Sequence, residues 1–170
     1  MSLAFLLPAL FLLALAAWRD VATRTIPNLL SLALAVLGLG LRALEGWPAL
    51  MSSLAAAAAL FVVLFVCHAR GMLGGGDVKL LTALAFGLPP LDSWNLVMAT
   101  ALAGGVLAGL YLVLHRLPEG CLRLATQPDA GPLQRVLAIE LRRIRQRGPM
   151  PYGVAIAIGA AFVLLQPQGG

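Results

Sequence analysis

Apolar residues run almost unbroken along most of this chain, and polar positions fall in short interruptions between the runs. A helix that crosses a bilayer needs about 20 mostly apolar residues, so the interruptions mark the predicted elements. The first run, Met1 to Trp18, predicts a spanning helix with Trp18 as its interfacial anchor. A polar link, Arg19 to Thr25, leads to a second helix from Ile26 to about Leu44, with Pro27 near its start, where proline is tolerated. Arg42 and Glu45 mark its far end, and Gly46 and Pro48 make the turn. A third helix is expected from Trp47 to about Cys67, with the small residues Ala55 to Ala59 allowing close helix contact. After the loop from His68 to Gly76, a fourth run from Val78 to Leu91 ends in Pro89-Pro90 and is short for a span. It reads as a segment that begins inside the bilayer, with the glycine loop dipping in; irregular backbone is tolerated there where it lines a cavity. The fifth helix is Trp94 to Leu114, with Ala101, Gly105 and Gly109 forming a small-residue packing face. The segment from His115 to Pro151 is the one long polar stretch. Within it, Leu133, Val136, Leu137, Leu141 and Ile144 recur at helical spacing among Arg135, Arg142, Arg143, Arg145 and Arg147, with Pro132 in the first turn. That pattern predicts a basic amphipathic helix on the membrane surface. The last apolar run is Tyr152 to Leu165.

The expected architecture is therefore all-α: a polytopic membrane helical bundle of about six transmembrane helices in one domain, residues 1–170. A cytoplasmic-side amphipathic helix lies between the fifth and sixth. Composition agrees. Only 11% of the residues are charged and 61% are hydrophobic, whereas soluble domains carry about a quarter charged residues. The net charge of +5 is accounted for by topology and anionic headgroups, with no nucleic-acid partner implied. Met1 to Ala17 lacks a basic n-region, and Trp18-Arg19-Asp20 is a poor cleavage site, so this stretch reads as a retained helix and not a signal peptide. Cys67 and Cys121 are far apart and read as free thiols, not as a zinc or redox pair. His68 and His115 have no second ligand in register, so neither a metal nor another cofactor is expected.

Orientation follows from the basic residues. With the N-terminus outside, every one of the twelve Lys and Arg residues except Arg42 falls on the inner side. Without the 115–151 segment, Arg19, Arg24, Arg70 and Lys79 still oppose Arg42 alone. The positive-inside rule gives N-out and C-out.

Of the seven acids, Glu45 and Asp92 sit beside outer turns, and Glu119, Asp129 and Glu140 lie among the arginines. Asp20 and Asp77 remain, both at cytoplasmic helix ends. Two facing carboxylates tend to share one proton. The ionised member can take a proton from water, while the protonated member hydrogen-bonds a scissile carbonyl. Structural readings stand beside this: Asp77 as an N-cap, Asp20 as an interfacial partner of Arg24. Lys79 is expected to snorkel to the headgroups, with electrostatic tuning of Asp77 as the other reading. Gly74, Gly75 and Gly76 allow a sharp turn and a close approach of backbone to substrate.

These residues resemble a family. Gly74-Gly75-Gly76-Asp77 resembles the GxGD signature of intramembrane aspartic proteases, and Asp77-Val78-Lys79-Leu80 resembles the type IV prepilin peptidases in particular. So does Asp20 followed by Arg24-Thr25-Ile26-Pro27-Asn28. Pro151-Tyr152-Gly153-Val154-Ala155 is similar to the family's Pro-(Tyr/Phe)-Gly-x-Ala segment at the start of the last helix. The resemblance implies a bacterial inner-membrane endopeptidase that removes the short basic leader of type IV prepilins or pseudopilins after a glycine, at the cytoplasmic face. It implies Asp20 and Asp77 as the catalytic pair. Gly74 and Gly76 would be the motif glycines and Gly75 the variable position, with Lys79, Arg24, Pro27 and Asn28 near the site. Longer relatives carry a C-x-x-C insert associated with N-methylation. Its absence here implies the short tight-adherence (Flp-type) form without methyltransferase activity. Arg19 before Asp20, where the presenilin and signal-peptide-peptidase branch uses tyrosine, points away from that branch. The amphipathic helix is expected to gate or rim substrate access.

Two other classes are distinguishable. A small transporter would use the glycine break and the acids to coordinate protons or cations, and would show flux. However, the acids lie at one face and no second broken helix mirrors the first. A lipid-binding scaffold packed through Ala and Gly faces leaves the paired acid motifs unexplained.

Overall fold

The computed structural model describes residues 3–116 and 150–166. Among these residues it consists of α1 (Leu3–Thr23), α2 (Asn28–Leu44), α3 (Trp47–Ala69), α4 (Gly75–Ala85), α5 (Pro90–Arg116) and α6 (Tyr152–Leu165), with no strand. The expected amphipathic helix over 132–147, Cys121, and the acids Glu119, Asp129 and Glu140 lie outside the described residues.

Three helices, α1, α3 and α5, are long and apolar enough to cross a membrane, and α2 and α6 are shorter apolar helices. Their outward faces are apolar: Phe11, Leu29, Val62, Leu102 and Phe162 are each more than half exposed. The fourth element is short, as its run of apolar residues implies, but its bounds are Gly75–Ala85 and not Val78 to Leu91. α4 has only eleven residues, about 16 Å at 1.5 Å per residue, which is about half the hydrocarbon thickness. Pro90 opens α5 and does not close the preceding run, so Leu91 and Asp92 belong to α5. Proline lacks an N–H and fits a first helical position, where none is needed.

Two further boundaries differ from the sequence reading. α1 continues past Trp18 through Asp20 to Thr23, so most of the expected polar link is helical. Thr23 Oγ1 donates to Arg19 O at 2.9 Å, and the helix stops where Arg24 takes a left-handed conformation, φ 56°. α2 begins at Asn28 and not at Ile26. Pro27 is its extended N-cap, φ −60° and ψ 134°, and a residue before proline is held away from the helical region.

α4 lies at the centre. The helices α1, α2, α3, α5 and α6 follow one another around it, with α6 closing onto α1. Val78, Leu80, Leu81, Ala83, Leu84 and Ala85 of α4 are buried. All of these but Ala85 pack into one apolar cluster with Leu13, Leu34, Leu64, Leu96 and Ile156 from the surrounding helices. α5 and α6 form the most extensive interface, but not through the expected stripe. Gly105 and Gly109 have open space where a Cβ would stand, and Ala101 is exposed. The contact lies on neighbouring positions. A Cβ on Gly159 would stand 2.6 Å from Thr100 N, and one on Gly104 would stand 2.9 Å from the Tyr152 ring.

The far end of α4 is tied to the α2–α3 hairpin by a buried polar chain. Arg42 Nε donates to Ser53 Oγ at 2.7 Å, and Ser53 Oγ donates to Leu88 O at 2.8 Å. Arg42 also pairs with Glu45 and reaches Ala49 O. Arg42, only 8% exposed, thus brings its guanidinium near the carbonyl end of α4, where a cation complements the helix dipole.

Candidate active site

α1 presents Asp20 in its final turn, 7% exposed. The route to Asp77 starts at the other end of α3. That helix ends in a Schellman motif: Met72 N donates to Cys67 O at 3.0 Å and Gly71 N to His68 O at 2.8 Å, with Gly71 at φ 74°. Glycine at that position carries no Cβ penalty. The chain then extends to Gly74, the N-cap of α4 (φ −70°, ψ 143°). Asp77 is therefore not the N-cap but the third residue of the helix. Its carboxylate folds back onto the Gly74 N–H, the arrangement of an acidic residue at this position of a capping box.

The three glycines are not equivalent. A Cβ on Gly74 would stand 2.7 Å from Asp77 Oδ2, so a side chain there would displace the carboxylate. At Gly75 the nearest atom is His68 Cε1 at 3.4 Å, and at Gly76 it is Ile26 Cβ at 3.4 Å, both ordinary contacts.

The start of α6 completes the site. Gly153 N donates to Asp20 Oδ2 at 2.8 Å. A Cβ at this position would lie 2.9 Å from both Asp20 Cβ and Asp20 Oδ2. Helix N-termini carry free N–H groups and positive dipole ends, which suit anions. Each aspartate thus accepts an N–H from a helix start: Asp20 from α6, Asp77 from α4.

Asp20 and Asp77 both line two neighbouring cavities, as do Arg24 and Gly74. One, of about 330 Å³, is walled by Met72, Leu73, Met150 and Tyr152. The other, of about 300 Å³, is walled by Thr25, Ile26, Asn28, Gly75, Gly76 and Lys79. Burial, and after it the neighbouring Asp20, push the Asp77 carboxyl up to about 6, against the opposing Gly74 N–H. Lys79 is exposed, and its Nζ donates to Asn28 Oδ1 at 3.0 Å. This joins the two halves of the sequence signature across the polar cavity. Pro27 lines neither cavity and acts by setting the start of α2. His68 binds Leu73 O through Nδ1 at 2.8 Å. No group of three or more potential metal ligands occurs among the described residues.

Met72, Leu73 and Met150 carry no signal in the sequence, because their apolar character merges with that of the flanking helices, whereas Tyr152 stands in the Pro151-Tyr152-Gly153 motif. The sequence reading placed Gly153 in that motif without connecting it to Asp20. The motif was the available signal, since a glycine at the second position of a helix is poor for helix formation and needs another reason.

The molecule is, by fold and site, a polytopic helical membrane protein with two carboxylates facing a divided cleft. The type IV leader peptidase family model matches residues 7–113, which include both Asp20 and Asp77. The chain belongs to the type IV leader peptidase family and is accordingly a peptidase with a protein substrate. No curated protein and no solved structure matches it.

Proposed function

We propose that the chain is an aspartic endopeptidase of the bacterial inner membrane, with Asp20 and Asp77 as its catalytic pair. Its substrate is a type IV prepilin or Flp-type precursor, cut after a glycine at the cytoplasmic face to release a short basic leader. The observation that carries this reading is the meeting of Asp20 and Asp77 on the shared wall of two cavities. A peptide threaded across that wall would have one cavity on each side of its scissile bond.

The local chemistry divides the roles. Asp20, held at Oδ2 by the Gly153 N–H, serves as the base. Asp77, pushed up to about 6, holds the shared proton and serves as the acid. Water attacks the scissile carbonyl carbon and gives a proton to Asp20, while Asp77 gives its proton to the carbonyl oxygen. Asp20 then passes its proton to the amide nitrogen as the C–N bond breaks. The proton on the former carbonyl oxygen returns to Asp77, which restores the starting state. No step needs a metal or cofactor. No N-methylation is assigned to this chain, because its two cysteines, Cys67 and Cys121, cannot form paired C-x-x-C motifs.

The test is cleavage of a tagged precursor with a basic leader, in membranes, by wild type, Asp20→Asn and Asp77→Asn. Loss of product in both variants at normal protein levels supports the pair. Near-normal cleavage by either variant removes that aspartate from the mechanism.

A further inference from the structure

We propose that His68 is a positioning residue whose Nδ1–H holds the loop that sets Asp77 against Asp20. Two contacts carry this. His68 Nδ1 lies 2.8 Å from Leu73 O; a carbonyl only accepts, so Nδ1 carries the proton. The ring edge also backs onto the glycine turn, with Cε1 at 3.4 Å and Nε2 at 3.6 Å from where a Gly75 Cβ would stand. One side chain at the end of α3 thus grips the loop just before Gly74 and supports it just after.

The grip matters because of what the loop carries. Gly71 at φ 74° reverses the chain, and its two Schellman bonds fix only the stretch up to Met72. Leu73 has no bond of that motif, and its carbonyl is taken by His68. The next residue, Gly74, caps α4 and donates to the Asp77 carboxylate. Leu73 and Gly74 also line the cavity beside the aspartates. Release of Leu73 O would let the turn shift as a unit, and a misplacement of about 1 Å in a catalytic group can reduce rate by about 100-fold. The bond needs only the Nδ1 proton, which neutral and cationic imidazole can both supply. The role is therefore one of geometry and not of titration.

This proposal rests on the peptidase reading above, and its test separates the two. Asparagine places an amide nitrogen near the Nδ1 position, and glutamine near the Nε2 position. In membranes, His68→Asn is expected to keep kcat within about threefold of wild type, while His68→Gln and His68→Ala lose about tenfold or more. A second readout needs no substrate: trypsin cleavage at the exposed Arg70. It is expected to be faster in the Gln and Ala variants than in wild type and His68→Asn. Equal nicking across all four proteins overturns the proposal, as does a Gln variant that matches or exceeds Asn in kcat. If wild type cleaves and Asp77→Asn cleaves equally well, the two-aspartate reading fails on its own, while the trypsin order still decides the role of His68 in holding the loop.

Discussion

The main-chain N–H of Gly153 donates to Asp20 Oδ2 at 2.8 Å, joining the start of the last helix to the end of the first. The bond requires that nothing stand on Gly153, because a Cβ would lie 2.9 Å from the carboxylate. Gly153→Ala is accordingly expected to lower the cleavage rate by about 100-fold while the protein still accumulates in membranes. Cleavage close to the wild-type rate in that variant would show that Asp20 tolerates displacement and that the contact is incidental.

The glycine turn offers an internal comparison. Gly74→Ala forces a Cβ to within 2.7 Å of Asp77 Oδ2, whereas Gly75→Ala meets only the His68 ring at ordinary distance. The first substitution should reduce kcat by at least about tenfold and the second should leave it within about threefold. Rates measured side by side at equal protein level decide it, and a reversed order would contradict the assigned geometry of the turn.

The pH dependence follows from Asp77. With its carboxyl at about 6 in the free enzyme, the acid form is present below that pH and lost above it. Cleavage measured as kcat/KM should therefore fall on the alkaline side with an apparent pKa near 6. A flat profile from pH 5 to 8 would remove Asp77 from the role of acid.

Stability carries the same sign. The folded Asp77 value of about 6 is raised above the ordinary 3.8, so the folded state binds this proton more tightly than the unfolded state. Stability from this group is full below the ordinary value and declines as pH rises through the folded one. Asp77→Asn should thus raise Tm at pH 7 and lose that advantage at pH 4. Thermal unfolding in detergent at the two pH values checks this.

At the opposite end of α4, Ser53 accepts from Arg42 and donates to Leu88 O. Ser53→Ala strands two buried polar groups and should destabilise the fold by about 1–3 kcal/mol. The readout is a lowered Tm with cleavage per folded molecule retained. An unchanged Tm would mean that these groups find other partners.

Several elements were legible in the sequence because they follow from local rules. The bounds of α3 and α6 fell close to expectation, since long apolar runs closed by Gly46, Arg70 and Gln166 leave few alternatives. The start of α5 did not, because Pro89-Pro90 reads equally well as the end of one run or the opening of the next. The helical state of Arg19 to Thr23 was hidden for the same reason: polar residues at a membrane boundary suit both a link and a final helical turn. The stripe of Ala101, Gly105 and Gly109 shows the limit of spacing arguments. Small residues at regular intervals permit close packing, but the neighbour sat over Thr100 and Gly104.

That the chain is helical and membrane-bound follows from its order of residues alone, because hydrocarbon requires apolar side chains outside and backbone groups satisfied within each segment. The same order singles out Asp20 and Asp77, the two acids left at cytoplasmic helix ends once those beside the outer turns and among the arginines are set aside. Tertiary structure decided the rest. It made α4 a short central helix, set Asp77 at its third position and brought the Gly153 N–H to Asp20. Those relationships depend on which helices pack together. Side-chain interdigitation across the whole bundle settles that, and no local stretch encodes it.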